Sequence, residues 1–254
     1  MLASERYETN LRVVNERGSA RVAELSQICG VTEETIRRDL DRLEQQGRLR
    51  RSHGGAVSLK GAQPEIPYFE REVTNVEEKK KIAAEAATHV SEGDSIILDA
   101  SSTAWYMASQ IPNIHLTVLT NSIKVALELS VKDKIEVLST GGALSPRSLS
   151  YVGPLAERSL DLYHVNKAFI SCKGIAADKG LSESNELQAR LKQKMIHLAD
   201  QVYLLADYSK FGHQSFAWVA SLNSIHQIIT DERAPEEELS KIRAMNVPLK
   251  QVSV

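Results

Sequence analysis

The sequence predicts an α/β protein in two parts: a short N-terminal helical unit with a small β-hairpin, and a mostly parallel sheet that helices cover on both faces. First, residues 1–57 carry apolar residues at helical spacing, punctuated by glycines. Second, short apolar runs alternate with helical stretches from residue 94 onward, as in parallel sheets. Third, residues 58–75 contain two prolines and no sustained period, which is typical of a linker. We therefore expect an N-terminal domain over 1–57, a linker over 58–75 and a second domain over 76–254.

Two helices joined by a tight, glycine-containing turn follow a first helix over residues 3–17, which Gly18 should end. The next helix is short, and a turn at Gly30 leads from it to a longer helix. The inward-facing positions of the short helix are Val22, Leu25 and Ile28. This arrangement predicts a helix-turn-helix.

The longer helix has one apolar and one polar face. Thr32 is the expected N-cap, and Ile36, Leu40 and Leu43 point toward the core. In helix-turn-helix proteins this helix enters the DNA major groove with its N-terminal residues toward the base edges. We therefore predict base contacts from Thr32, Glu34, Thr35 and Arg38, and a phosphate contact from Arg37.

The run RLRRSHGGAVSL after Gly47 predicts a small hairpin with Gly54 and Gly55 at its turn. Such a ribbon would make the motif a winged helix-turn-helix. Its basic residues should lie along the DNA phosphate backbone, and they are Arg48, Arg50, Arg51 and His53. A solvated, charged helix end is the alternative for an isolated arginine cluster, but this cluster follows a complete helix-turn-helix pattern.

Polar residues follow the predicted strands of the second domain, which are SIILDA, LTVLTN, KIEVLST, KAFISC and VYLLAD. Open parallel sheets bind ligands at the carboxyl ends of their strands, and hydroxyls beside a helix N-terminus favour an anion such as phosphate. The candidate effector-binding residues are Asp99, Ser101, Ser102, Thr103, Thr120, Asn121, Ser122, Gly141, Gly142, Lys173, Asp207 and Lys210. Helix capping is the alternative role for each of these loops.

The stretch VTEETIRRDLDRLEQQGRLRRSHGGA resembles the N-terminal signature of DeoR-family bacterial transcriptional regulators. The series LDASST, LTNS, STGG, GLSES, LLADYSKFG and IITD resembles the effector domain of the same family, which is similar in fold to ribose-5-phosphate isomerase. The resemblance implies a regulator of a carbohydrate operon that responds to a phosphorylated sugar. DASSTAWYMA and SCKGI resemble the L-fucose operon activator branch.

The chain also departs from the family pattern. Ala100 to Thr103 stand where a Gly-Thr-Thr type sequence is common, Asn166 stands where Asp is usual, and Cys172-Lys173 is untypical. An Arg and a Lys recur in the family near the linker, and the candidates here are Arg71 and Lys79–Lys81. They are expected to meet either the ligand or an inter-domain surface.

A sugar-phosphate isomerase with an added DNA-binding segment is the rival interpretation. Aldose–ketose isomerisation needs a base, and the isomerases carry acidic residues in an Asp-Gly-Ala-Asp-Glu type loop. The corresponding stretch here, NKAFISCKG, has no carboxylate, although Glu183, Glu186 and Asp207 remain as possible bases. We therefore expect a regulator and not an enzyme.

Composition excludes several other classes. The net charge is −2, and no stretch approaches the roughly 20 apolar residues of a membrane span. We expect a cytoplasmic protein without a secretory signal, without a metal or other cofactor, and with Cys29 and Cys172 as small buried residues. Because helix-turn-helix regulators commonly bind paired half-sites, the expected assembly is a homo-oligomer, either a dimer or a tetramer.

Overall fold

The computed structural model describes residues 3–17, 19–52, 54–58 and 65–254 of the chain. Contacts divide the chain into two units, Met1–Pro64 and Glu65–Val254. Gly18, which was predicted to end the first helix, and residues 59–64 of the predicted linker lie outside the described residues.

Helices and short antiparallel strands make up the described part of the first unit. They are α1 (Ala3–Arg17), β1 (Ser19–Arg21), α2 (Val22–Cys29), α3 (Glu33–Gln45), β2 (Leu49–Ser52) and β3 (Gly55–Ser58). The strands pair in the order β1-β3-β2. The predicted winged helix-turn-helix is confirmed, with one strand, β1, more than the sequence analysis assigned to it.

The turn between α2 and α3 depends on local backbone geometry. Gly30 adopts a left-handed conformation (φ 63°) and donates its N–H to the Ser26 carbonyl, which ends α2. Thr32 then accepts a hydrogen bond from the Thr35 N–H at 3.3 Å, so the predicted N-cap of α3 is confirmed.

The core of the first unit differs from expectation at one position. Ile36, Leu40 and Leu43 are fully buried, as predicted. Ile28, however, is 39% exposed, and Cys29 occupies the buried position on α2 instead. The predicted inward orientation of Ile28 was wrong because one residue rotates a helix by about 100° and α2 is too short for its period to fix the face.

The hairpin β2–β3 confirms the predicted wing. Gly54 forms its turn with φ 83°, and Gly55 begins β3 opposite Ser52. A side chain at Gly55 would place its Cβ 2.2 Å from the Ala20 carbonyl oxygen of β1. The close approach of β1 therefore requires glycine at this position.

A seven-stranded parallel sheet forms the centre of the second unit, in the order β15-β14-β12-β9-β4-β5-β6. The strands are β4 (Ser95–Leu98), β5 (Leu116–Thr120), β6 (Ile135–Ser139), β9 (Val165–Ile170), β12 (Ala199–Leu205), β14 (Gln227–Asp231) and β15 (Leu249–Val252). From β4 the chain continues through β5 and β6 toward one edge, whereas from β9 it continues through β12 toward the other edge. The boundary between β4 and β9 is therefore a topological switch point.

Helices cover both faces of this sheet, as predicted. The helices are α4 (Tyr68–Glu72), α5 (Val76–Ala87), α6 (Ser102–Gln110), α7 (Ile123–Leu129), α8 (Pro154–Leu160), α9 (Glu186–His197) and α10 (Glu236–Ala244). Ile97 of β4 packs into a core with α8, α9 and α10. Its neighbours Ile96 and Leu98 pack into a second core with α5, α6 and α7.

Short antiparallel elements complete the second unit and were not predicted. They are the hairpin of β7 (Ala143–Ser145) and β8 (Ser150–Val152), and the sheet of β10 (Gly174–Ala176), β11 (Gly180–Glu183) and β13 (Ala217–Ala220). Strands of three or four residues are too short to show a period in the sequence.

Residues 65–75, which the sequence analysis assigned to the linker, belong to the second unit. Tyr68 at the start of α4 is fully buried, and its N–H donates to the Arg147 carbonyl at 2.8 Å. The Tyr106 hydroxyl donates to the Glu72 carbonyl at 3.0 Å, and Lys124 forms an ion pair with the Glu72 carboxylate at 3.1 Å. These contacts attach the segment to the helices beside it.

Among the helices in the described part of the chain, none combines the length and the apolar character needed to cross a membrane.

Leu40→Ala should lower the free energy of unfolding by about 2–5 kcal/mol, because it removes a fully buried side chain from α3 and leaves a cavity. Ile28→Ala is the matched control and should cost well under about 1 kcal/mol, because Ile28 is exposed. Urea denaturation of the full chain, followed by circular dichroism, measures both. Equal losses would contradict this division between core and surface.

Candidate functional site

The polar face of α3 carries exposed arginines that are paired with neighbouring carboxylates. Arg37 contacts Glu33 at 2.7 Å, and Arg38 contacts Glu34 at 3.4 Å. The Arg38 side chain is 78% exposed. Exposed ion pairs of this kind contribute little to stability, about 0–1 kcal/mol each, so other anions can replace the carboxylates. The face can therefore present guanidinium groups to a ligand such as nucleic acid.

The predicted wing arginines are also paired with carboxylates. Arg48 contacts Glu8 at 2.8 Å. Arg51 contacts Asp41 of α3 at 3.1 Å and is half-buried, so it joins the wing to that helix as well as adding positive charge. The side chain of Arg50 and all of His53 lie outside the described residues.

A buried ion pair fixes the position of α3 against α1. Both carboxylate oxygens of Asp39 accept from the Arg6 guanidinium, one of them at 2.9 Å. The Arg42 guanidinium also donates to the Tyr7 hydroxyl at 3.3 Å. Because a planar guanidinium that binds a carboxylate through two bonds has a defined orientation, this contact sets the angle at which α3 is presented.

A cavity of about 150 Å³ lies in the second unit, at the switch point of the sheet. Its walls come from segment 65–79, from the loop after β4, from the loop after β9, and from the end of β11 with α9 and the turn after β12. The lining residues are Glu65, Ile66, Arg71, Thr74, Asn75, Lys79, Ser101, Ser102, Thr103, Ser171, Cys172, Lys173, Glu183, Ser184, Lys192, Ser209 and Lys210.

Asp99 at the end of β4 holds the two switch-point loops together. Its carboxylate accepts from the Ser101 N–H at 3.0 Å and from the Ser171 N–H at 2.8 Å. Lys192 of α9 approaches the same carboxylate at 3.1 Å and also donates to Glu183 at 2.5 Å and to the Ser171 carbonyl at 2.6 Å. Although burial opposes it, the charges of Glu183 and Asp99 raise the pKa of Lys192, which therefore stays protonated.

The N-terminus of α6 points hydroxyl groups and backbone N–H groups toward the cavity. Ser101 caps the helix by accepting from the Ala104 N–H at 3.0 Å, and Ser102 and Thr103 form its first turn. All three line the cavity. A helix N-terminus with adjacent hydroxyl groups is suited to binding an anion.

Cationic side chains crowd the same cavity. Lys79 is buried, and its ammonium donates to the carbonyls of Arg71 at 2.5 Å and Thr74 at 2.6 Å. Burial lowers the pKa of Lys79 to about 8, and the positive charges of Lys210 and Arg71 act in the same direction. The negative charge of Asp207 acts in the opposite direction. Burial likewise lowers the pKa of Lys173, with Lys210 adding repulsion. Burial is the main cause of both shifts, and repulsion from Lys210 and Arg71 adds to it.

Arg71 has unused hydrogen-bonding capacity at the cavity wall. Its Nε donates to the Ile66 carbonyl at 3.1 Å, and its guanidinium lies 5.3 Å from the centre of the Tyr68 ring. Its buried Nη2 has no hydrogen-bond partner among the described residues. A ligand anion would supply one.

Several predicted effector residues lie outside this cavity. Thr120 donates to the Leu98 carbonyl at 2.7 Å, Asn121 donates to the Tyr151 carbonyl at 3.1 Å, and Ser122 caps α7. A Cβ atom added to Gly142 would lie 2.9 Å from the Val152 carbonyl oxygen, so this glycine packs closely against the backbone. Gly141 before it adopts a left-handed conformation with φ 59°. Their contact with a ligand stays a prediction, and the structure shows helix capping and loop packing for this set.

Asp99 and Asp207 adjoin the cavity without lining it. Asp207 is buried and accepts from the Asn75 amide and the Ser209 N–H, both at 3.0 Å. Burial acts to raise the pKa of Asp207, but Lys210 and the hydrogen bonds from Ser209 lower it overall. It therefore acts as a fixed negative charge behind Lys210.

The environment of Arg71 and Lys79–Lys81, left open by the sequence, is resolved by the structure. Arg71 and Lys79 line the cavity, whereas Lys80 and Lys81 are exposed and do not. The lining residues that had not been predicted include Glu65, Ser184, Lys192 and Ser209, and Glu183 had been named only as a possible base. A charged residue that ends a short strand, such as Glu183, gives no signal that distinguishes it from a surface carboxylate.

Both cysteines are buried, as predicted. Cys172 lines the cavity, and burial raises its pKa to about 12. Its thiol is therefore protonated and contributes only packing and weak hydrogen bonding.

Known proteins resemble this chain over nearly its whole length. The uncharacterized HTH-type transcriptional regulator YulB of Bacillus subtilis is 55% identical over 256 residues, which covers 98% of each chain. The L-fucose operon activator of Haemophilus influenzae is 41% identical over 231 residues, covering 91% of this chain and 93% of that protein.

Among solved structures, ribose 5-phosphate isomerase A from Methanocaldococcus jannaschii matches with a TM-score of 0.41 and 19% identity, covering 54% of this chain and 55% of that one. This likeness is partial, and we draw nothing about function from it.

Two family models match the chain in order. The DeoR-like helix-turn-helix domain matches residues 6–62, and the DeoR C terminal sensor domain matches residues 74–232. Since both models match and the relatives are similar over almost the full length, the protein belongs to the DeoR family of transcriptional regulators.

Proposed function

We propose that the protein binds operator DNA through its winged helix-turn-helix and regulates a carbohydrate-metabolism operon in response to a phosphorylated sugar held in the cavity. The cavity is the observation that best supports the binding of a phosphorylated sugar. It lies at the switch point of a parallel sheet, it is crowded with cations, and it contains a buried Arg71 nitrogen for which the described part of the chain supplies no hydrogen-bond partner.

The charge of the lining supports a phosphate group as the anion. Five basic residues line the cavity, Arg71, Lys79, Lys173, Lys192 and Lys210, against two acidic ones, Glu65 and Glu183. A phosphate ester carries a charge of about −1.5 to −2 at pH 7 and accepts several hydrogen bonds. Hydroxyl groups of Ser102 and Thr103 and the N-terminus of α6 complete a suitable donor set.

The carbohydrate operon is supported by the relative that is named as an L-fucose operon activator. The predicted resemblance of DASSTAWYMA and SCKGI to that branch agrees with this similarity. A homo-oligomer, dimer or tetramer, follows from the use of paired half-sites by helix-turn-helix regulators.

The placement of the possible bases disfavours the isomerase alternative. Glu183 is held by the Lys192 ammonium, and Glu186 pairs with Arg190 on the exposed side of α9. Asp207 does not line the cavity. Turnover of a sugar phosphate by the purified protein would contradict the proposal that the cavity only senses its ligand.

The first experiment measures fluorescence anisotropy of the protein on labelled DNA from upstream of its own gene, with excess competitor DNA and a panel of sugar phosphates. We expect binding that resists competitor, weakens with salt and changes with at least one sugar phosphate. Binding that is indifferent to every member of a broad panel would count against the proposed effector class.

Arg38→Ala should weaken specific binding by about 1–3 kcal/mol and relax base preference, because Arg38 is exposed on the predicted base-reading face. Arg51→Ala should weaken binding to all DNA sequences similarly and reduce the salt slope by about one unit. Arg158→Ala, on the second unit, is the matched control. The measurement is anisotropy on specific and scrambled DNA over a salt series, and identical behaviour of the three variants would contradict the assigned roles.

Lys210→Ala should leave DNA affinity unchanged and weaken the effector response about 10-fold or more, because it removes a charge-assisted contact to the phosphate. Lys241→Ala, which changes an exposed lysine of α10 outside the cavity, is the control. Titration of effector against the preformed DNA complex gives the response. A normal response from the Lys210 variant would remove this residue from the proposed site.

Effector affinity should fall as the pH rises through about 8, because Lys79 has a pKa lowered to about 8 and loses its charge there. A phosphate ester is already dianionic above its second pKa of about 6, so the ligand does not titrate in this range. The charges around Lys79 come from Asp207, Lys210, Arg71 and Glu78. Calorimetric titration of the effector between pH 7 and 9.5 measures this decline in affinity. In Lys79→Gln the affinity should change less with pH. If the affinity of that variant falls by the same factor as that of wild type, Lys79 is not the origin of the decline.

A further inference from the structure

We propose that Glu65 and Glu183 bind the part of the effector remote from its phosphate, and that this carboxylate pair selects hydroxyl groups and rejects a second anionic group. This inference rests on the proposed function, because it assumes that the cavity holds a phosphorylated sugar. In this proposal, Glu65 and Glu183 determine which sugar phosphates the cavity binds.

The charged groups of the cavity separate into two neighbourhoods. The principal electrostatic neighbours of Lys79 are Asp207, Lys210, Arg71 and Glu78. Those of Glu65 are Arg71, Glu183, Asn185 and Lys192. Contacts place Glu65 and Glu183 beside α9, through Asn185 at 3.5 Å and Lys192 at 2.5 Å, and place Lys210 beside Asp207 at 3.8 Å. Arg71 and Lys173 are electrostatic neighbours of both groups. A ligand whose phosphate is held among Lys79, Lys210 and Arg71 directs its remaining atoms toward the carboxylates.

The two carboxylates differ in how far the protein already satisfies them. Glu183 accepts from the Lys192 ammonium at 2.5 Å and from the Ser184 N–H at 3.3 Å. Glu65 receives from the described residues one long contact, at 3.5 Å, from the Asn185 amide. A carboxylate has about four acceptor positions, so Glu65 keeps most of its capacity for a ligand.

Because Glu65 is partly buried, its unused hydrogen-bond acceptor positions affect which ligand can bind. Burial and the charge of Glu183 raise the pKa of Glu65, while Arg71 acts in the opposite direction. A poorly hydrated carboxylate is stabilised by hydrogen-bond donors, which sugar hydroxyl groups supply. A second phosphate or a carboxylate on the ligand has no such donors and would add negative charge beside Glu65 and Glu183.

The remaining positive charge suffices for one phosphate. Lys192 is already matched by Asp99 and Glu183, whereas Lys210 has only a long contact, at 3.8 Å, with the Asp207 carboxylate. Arg71, Lys79, Lys173 and Lys210 therefore keep positive charge for a ligand. The fitting ligand class is a sugar or polyol with a single phosphate and neutral hydroxyl groups at its other end.

The test compares wild type with Glu65→Gln by isothermal titration calorimetry on the full chain. The probes are inorganic phosphate, a panel of pentose and hexose monophosphates, and fructose 1,6-bisphosphate. We expect wild type to bind at least one monophosphate more tightly than inorganic phosphate and to bind the bisphosphate more weakly than that monophosphate. Glu65→Gln should weaken the monophosphate about 10-fold or more, leave inorganic phosphate within about 2-fold, and narrow the gap to the bisphosphate.

Two further variants separate the contributions. Glu70→Gln changes an exposed carboxylate on the same segment that does not line the cavity, and it should leave all probes unchanged. Glu65→Asp keeps the charge but withdraws it by about one methylene, so it should weaken the monophosphate and still reject the bisphosphate. Thermal unfolding of each variant confirms that it is folded.

The outcomes distinguish this inference from the proposed function. If Glu65→Gln leaves both the monophosphate and the bisphosphate affinities unchanged, or if wild type prefers the bisphosphate, the carboxylate inference is wrong although the cavity still binds phosphate compounds. If wild type binds neither inorganic phosphate nor any sugar phosphate, the proposed function itself is wrong, and the inference fails with it.

Discussion

The cavity of the second unit depends on one buried carboxylate, that of Asp99. The chain leaves β4 and β9 in opposite directions, so the loops that follow these two neighbouring strands diverge and leave a gap. Asp99 spans the gap by accepting one N–H from each loop, and Lys192 neutralises it from behind. Burying a charge is costly unless it is paired and hydrogen-bonded, and here both conditions are met. The cap of α6 and the position of Glu183 depend on the same arrangement.

Long, periodic elements could be predicted from the sequence, and short ones could not. The buried face of α3 was correct because this helix shows its period within its own length, and the five strands of the central sheet were correct because each is a continuous apolar run. The face of α2 was wrong at Ile28, since a helix of eight residues offers little to average over. Strands such as β10 and β11 are defined by their partners and leave almost no trace in local composition.

Some of the residues that line the cavity could be predicted from the sequence, and others could not. Ser101, Ser102, Thr103, Lys173 and Lys210 were identified because polar residues follow strands at the carboxyl edge. Thr120, Asn121 and Ser122 show the same local chemistry but follow β5, one strand away from the switch point. Local sequence patterns do not show the order of the strands in the sheet. The sequence therefore could not indicate which of the similar loops lie at the switch point. Glu65 and Arg71 come from a segment that precedes the whole sheet, and only the folded chain brings it to the cavity.

Several arginines of the first unit form ion pairs with carboxylates of the same unit. Arg37, Arg38 and Arg48 each contact a glutamate of the same unit. These pairs offset part of the positive charge of the winged helix-turn-helix in a protein whose net charge is −2. Phosphates that displaced the glutamates would release these carboxylates to water.

The protonated thiol of Cys172 has a consequence for the chemical reactivity of the cavity wall. Because burial raises the pKa of Cys172 to about 12, the thiolate is scarce at pH 7. Peroxides and disulfides react with the thiolate and need access to it, and Cys172 is also buried. The thiol in the cavity wall is therefore a poor target for oxidants, and a ligand that entered the cavity would meet it as a neutral, packed group.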